Sequence, residues 1–150
     1  MTMPDPGQML VKLVPFVRTL NLKVAPVTEV GRATVTLPSV PSVQNHMGTA
    51  HAGAVYTAAE SATGAATLSV FADLVAKGAY VALKSSTVTH KKARAGDVEA
   101  LAVIDGDPKA LRAAYADTGK VDFDAKVTLS VDGVPTAEMV FVWAVRRPRA

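Results

Sequence analysis

The chain has 150 residues, 49% apolar and 19% charged, which suits one domain with one core and excludes a disordered chain. A formal net charge of +3 with 5% aromatics is a poor signature for nucleic-acid binding, yet compatible with a small anionic ligand. The absence of cysteine excludes disulfides, thiolate zinc sites and thiol nucleophiles.

The opening PDPGQMLVKL reads as a short helix, with Asp5 as its cap and Pro6 at its first position. Met9, Leu13, Phe16 and Leu20 form a loose apolar stripe, and Pro15 is expected to end or kink the helix. Lys12 and Pro15 break the apolar run, and Asp5 stands where a signal peptide would be basic. No signal peptide is expected, and the default location is cytoplasmic. Residues 22–30 and 32–37 read as strands; in RATVTLP, Ala33, Val35 and Leu37 alternate with threonines. After PSVPS and a loop around Asn45 comes a long helix, about 51 to 76, with Gly78 as its C-cap. Four extended segments follow: YVALKSSTVTH, DVEALAVI, VDFDAKVTLSV and VPTAEMVFVWAV. The third alternates strictly, and Asp132-Gly133 joins it to the fourth as a two-residue hairpin. Between the second and third, DPKALRAAYADTGK reads as a short helix starting at Asp107-Pro108, and the basic tail RRPRA is expected to fray.

This order predicts an α+β fold: an antiparallel sheet of five or six strands wrapped around one long helix. No repeat or linker divides residues 1–150, which read as one domain. From Ala50 to Ala76 there is no Lys or Arg. His51, Glu60, Asp73 and an alanine-dominated composition still favour a buried core helix over a membrane span.

Helical steps from Gly53 pass through Tyr56, Thr57, Glu60, Ser61, Thr63, Gly64 and Thr67, one polar or small stripe. The opposite side carries Val55, Ala58, Ala59, Ala62, Ala66 and Val70. Solvated helix faces mix Lys, Glu, Gln and Arg. A face with one carboxylate among Thr, Ser and Gly suits a narrow cleft or a surface covered by another subunit. The plainer alternative is a capped helix with a stray surface glutamate. A carboxylate on a covered face loses solvation, its pKa rises, and it becomes a candidate general base. The free N–H groups near His51, Ala52 and Gly53 can donate to an oxyanion. Glu60 lies about 10–13 Å further along the axis at 1.5 Å per residue. Both ends of one helix do not easily reach one carbon. An N-terminus from one subunit and a carboxylate from another are therefore expected to share a site, and with it comes an obligate dimer. His46, His51 and His90 lack the helical i, i+4 spacing of a metal pair, so no metal is expected.

Asn45, Gly48, His51, Gly53 and Glu60 resemble the pattern of the hotdog-fold acyl-CoA thioesterases, specifically the phenylacetate-degradation (PaaI-like) branch and an uncharacterised sibling group. That branch reads Asn-x-x-Gly-x-x-His-Gly-Gly, with Asp or Glu nine residues after the His. The element order and KKARAGDVEA extend the resemblance over nearly the whole chain, and the DPKALRAAYADTGK insertion resembles the sibling group. The resemblance implies hydrolysis of an acyl-CoA thioester, no cofactor beyond the coenzyme A of the substrate, and a homodimer or a dimer of dimers. It implies that Glu60 activates water or attacks the carbonyl itself, and that the N–H of Ala52 or Gly53 polarises that carbonyl. Asn45 of the neighbouring subunit would hold the water or the carboxylate. His51 would order the loop at the helix start, and Gly48, Thr57 and Gly64 would border the substrate. Lys91, Lys92 and Arg94 would meet the phosphates of coenzyme A.

Two departures bear on substrate choice. Ala52 replaces the first Gly of His-Gly-Gly. Ala82 and Lys84 stand where the family tends to place a small polar group facing the thioester. They leave room for a second reading, a non-catalytic acyl-CoA binding module. A third is a hotdog 3-hydroxyacyl-thioester dehydratase, which resembles this chain in having a His fourteen residues before a helix Glu, as His46 and Glu60 are here. Such enzymes carry prolines and a Pro-Gly step between the two, and this segment has no proline. Neither nucleic acid nor membrane is expected as a partner.

Overall fold

The computed structural model describes residues 2–149. The chain forms α1 (Pro6–Leu13), α2 (Pro15–Thr19), β1 (Lys23–Val24), β2 (Arg32–Leu37), α3 (Ala52–Ala76), β3 (Tyr80–His90), β4 (Val98–Ile104), α4 (Pro108–Thr118), β5 (Lys120–Val131) and β6 (Val134–Arg146), with a 3-10 turn at Pro41–Val43. The strands make one six-stranded antiparallel sheet in the order β1-β2-β4-β5-β6-β3. The sheet curves around α3, which touches β2, β4, β5 and β6.

Small side chains let α3 lie close to the sheet. Ala58, Ala59, Ala62, Ala65 and Ala66 are completely buried. In the later turns Phe71 stacks on Phe123 of β5 with ring centroids 5.7 Å apart. On its other side α3 is crossed by α1. A β-carbon at Gly64 would stand 3.4 Å from Leu10 Cδ1, so the bare glycine sets how near the two helices come. The expected polar front is therefore not one accessible face. Trp143 Nε1 donates to Thr63 Oγ1 at 2.8 Å, and Ser61, Thr63, Gly64 and Thr67 are all buried. Of that stripe, only Gly53, Tyr56, Thr57 and Glu60 reach solvent.

The first elements depart from expectation for local reasons. Asp5 accepts the Gln8 N–H at 3.1 Å, capping α1, and the Val27 N–H at 2.8 Å. Val27 is thereby committed to a side chain, and Pro26 has no N–H, so the strand expected over 22–30 shrinks to Lys23–Val24. Pro15 does not simply stop the first helix. It opens α2 at the position where a missing N–H costs least. At the other end, Arg146 belongs to β6 and pairs with Asp122 at 2.6 Å, and the Arg147 N–H donates to Gly119 O at 2.8 Å. The tail is thus held through Arg147; Ala150 lies outside the described residues. No helix among the described residues is long and apolar enough to cross a membrane.

Candidate active site

The loop before α3 is built by the residues singled out in the sequence. Asn45 Oδ1 accepts the N–H groups of Met47 at 2.9 Å and Thr49 at 3.2 Å, and Nδ2 donates to Thr49 Oγ1 at 2.8 Å. Gly48 turns the chain at φ +74, a conformation that disfavours side chains, with open space around it. His51 then caps the helix, its Nδ1 accepting the Gly53 N–H at 2.9 Å. Two expectations change as a result. The Gly53 N–H is already bound by His51, so it is not a free oxyanion donor. The Asn45 amide is engaged inside its own loop rather than aimed at a water or a carboxylate. The Ala52 N–H has no acceptor among the described residues and remains open.

A cleft of about 160 Å³ lies at this helix start, lined by Asn45, Ala52, His90, Lys91 and Arg94 among others. Lys91 also pairs with Glu138 at 3.0 Å, and Arg94 approaches Asp132 at 3.9 Å. Lys92 is exposed and lies outside the lining. Two cations beside the positive end of a helix make a favourable place for an anion.

Glu60 faces a different cavity, of about 330 Å³, walled by residues that include Leu10, Gly64, Leu68, Val81 and Trp143. Its carboxyl is half-buried, and no cation or hydrogen-bond donor among the described residues reaches it. Desolvation alone pushes its pKa above the ordinary value. One turn earlier, Tyr56 packs on Phe141 with centroids 5.2 Å apart and shares a 2.9 Å hydrogen bond with Ser86 Oγ. Thr57 is satisfied within the helix, its Oγ1 donating to Gly53 O at 2.9 Å. Within one chain, then, Asn45, Ala52, Lys91 and Arg94 come together, and Glu60 with Gly64 stands apart. Eight residues separate Ala52 from Glu60, about 12 Å of helix.

Ala82 and Lys84 do not face the site as expected. Ala82 pairs with Ala144, which pairs with Asp122, and Lys84 donates to Asp122 Oδ2 at 2.6 Å. Asp122 points away from α3, since its neighbours Val121 and Phe123 are in the core. The register shifts at Lys84, a β-bulge that reverses the alternation beyond it. Ser86, opposite Phe141, thereby faces the helix and meets Tyr56. Plain alternation groups 82, 84 and 86 on one face, so the sequence carried no signal for Ser86.

Solved structures share this architecture. A Pseudomonas aeruginosa protein of unknown function, PA5026, named as a probable thioesterase, is 25% identical, with 97% of each chain covered and a TM-score of 0.81. A variant of the Staphylococcus aureus thioesterase SAV0944 is 18% identical, covering 89% of this chain and 99% of its own, with a TM-score of 0.71. A variant of the phenylacetic acid degradation protein PaaI from Thermus thermophilus is 24% identical over 89% of this chain and 99% of its own, with a TM-score of 0.65. No match is found among curated proteins. Residues 7–145 match the family described as a domain of unknown function, DUF4442. The chain belongs to that family, and it has the hotdog fold, a curved antiparallel sheet wrapped around one long helix.

Proposed function

We propose that the protein is an acyl-CoA thioesterase whose active site is completed by two copies of the chain. The observation that carries this reading is Glu60, a half-buried carboxylate without a counter-charge at the end of an apolar cavity. A carboxylate so placed holds a proton more readily than a solvated one and is a stronger base for general-base work. The acyl group occupies the Glu60 cavity of one copy. The coenzyme A phosphates lie on Lys91 and Arg94 of the other, with Lys92 adding charge nearby. The Ala52 N–H of that second copy donates to the thioester oxygen as it gains negative charge. Glu60 takes a proton from water as the water attacks the carbonyl carbon, or attacks that carbon itself to form an anhydride that water then opens. In either course the C–S bond breaks, its electron pair leaves on sulfur, and the products are the free acid and coenzyme A. No cofactor is needed, and the cytoplasm is where such a substrate would be met.

Assembly is supported by β3, which ends the sheet, pairs only with β6 and is exposed along nearly its whole length. An unpaired edge eleven residues long is a template for a second copy of itself. The thioesterase names of the similar structures agree with this reading. Acyl-CoA binding without turnover is a second reading, favoured by the engagement of the Gly53 N–H and the Asn45 amide.

The test is thiol release from short, medium and aryl acyl-CoAs by wild type and Glu60→Ala. Loss of a general base is expected to lower turnover by about 10²–10⁴-fold. No turnover of any substrate, or full activity in Glu60→Ala, overturns the proposal. Tight binding without turnover selects the binding module, and a 2-enoyl product selects the dehydratase using His46 and Glu60.

A further inference from the structure

The cavity beyond Glu60 has a shape that bears on the acyl group. Glu60, Gly64 and Leu68 follow one another at four-residue steps along α3, and Val75 continues the wall. At 1.5 Å per residue, Gly64 lies about 6 Å, Leu68 about 12 Å and Val75 about 22 Å beyond the carboxylate. The cavity is therefore elongated and apolar, a slot whose wall follows the helix. At about 30 Å³ per water-sized group, about 330 Å³ holds about ten methylenes. Glu60 is the only ionisable carboxylate or amine in its wall. A tail bearing charge or hydroxyls would lose its water there with little to replace it. Leu13 and Tyr80, 55% and 42% exposed, border the slot and present apolar surface that a bound chain would cover.

Resting on the thioesterase reading above, we propose that the substrate is the CoA thioester of a medium-length aliphatic acid, and that α3 acts as the ruler, with Leu68 setting chain length. Each methylene buried in the slot adds about 0.8 kcal/mol, or about fourfold in kcat/KM, until the slot is full.

The experiment measures kcat/KM for acetyl- through palmitoyl-CoA and for phenylacetyl-CoA, with wild type, Leu68→Phe and Leu13→Ser. The expected result is a climb to an optimum near decanoyl and a fall beyond it. Leu68→Phe moves the optimum to shorter chains. Leu13→Ser, at an exposed position that does not threaten folding, lowers the decanoyl-to-butyryl ratio severalfold. A binding readout runs beside it. Trp143, the one tryptophan, is on the slot wall, so its emission should shift with decan-1-ol and not with benzyl alcohol at equal concentration. Turnover that prefers phenylacetyl-CoA or ignores chain length, with Trp143 silent, overturns this inference and leaves the thioesterase reading intact. A Trp143 response to decan-1-ol without turnover of any thioester supports the chain assignment and overturns the thioesterase reading.

Discussion

Thr63 joins the wall of the slot to the turn that carries Glu60. Its Oγ1 accepts from Trp143 Nε1 at 2.8 Å and donates to the Glu60 carbonyl at 2.7 Å. Thr63 has no exposed surface, and Trp143 is 6% exposed. Thr63→Val keeps the shape and the β-branching, so neither packing nor helix propensity changes much. It removes the acceptor and leaves a buried indole N–H unpaired, which costs about 1–3 kcal/mol. Burial of the added methyl offsets up to about 0.8 kcal/mol, for a net loss of about 1–2 kcal/mol. At about 2–4 °C per kcal/mol for a chain of this size, Tm should fall by about 2–8 °C. The assay is thermal and urea unfolding of wild type, Thr63→Val, Trp143→Phe and the double variant. In the phenylalanine background no N–H remains to be orphaned, so Thr63→Val should be nearly neutral, and the cycle should show about 1–2 kcal/mol of coupling. Coupling within about 0.5 kcal/mol of zero would refute the reasoning.

Burial raises the Glu60 pKa, so the folded protein binds that proton more tightly than the unfolded chain does. The stability this contributes is fully present below the unfolded pKa and is lost as pH rises through the folded one. Glu60→Gln should therefore raise Tm relative to wild type at about pH 8 and lose that advantage at about pH 4, as measured by calorimetry. Over the same range, wild-type kcat/KM should rise with pH as the carboxyl ionises. Lys91→Ala with Arg94→Ala should raise KM for acyl-CoA about tenfold with little change in kcat, and leave phosphate-free N-acetylcysteamine thioesters unaffected. Gly96 sits at φ +131, where a β-carbon would stand 2.8 Å from Val131 Cγ1. Gly96→Ala should cost about 1–3 kcal/mol in urea unfolding.

The elements that read most directly were those whose side chains answer to one constraint. β5 keeps one face in the core from Val121 to Val131, so its alternation is unbroken. Asp132 and Gly133 both take positive φ, as a two-residue hairpin requires. The long helix ends where Gly78 allows, at φ +96. Less legible was anything decided by a neighbour distant in sequence. Small and polar residues showed that the front of α3 avoids open water, but not that α1 covers it through Leu10. The bulge at Lys84 shifts the face of every later residue in β3 and has no glycine or proline to announce it. The loop motif singled out Asn45 and His51, which brace the loop and cap α3, yet which donors are already satisfied depends on side-chain rotation that spacing does not encode.

The central claim is that one site needs two chains, and a heterodimer tests it most directly. Ala52 is the first helical residue, where proline is well accommodated, so Ala52→Pro removes the N–H and little else. His51 already has the extended conformation that precedes proline, at φ −62 and ψ 138. Glu60→Ala removes the carboxylate. Each variant alone should be inactive. In a heterodimer purified through two different tags, one of the two sites keeps both groups, so about half of the wild-type turnover should return. If Ala52 and Glu60 of the same chain acted together, neither site of that heterodimer would be intact, and activity would stay at the level of the single variants.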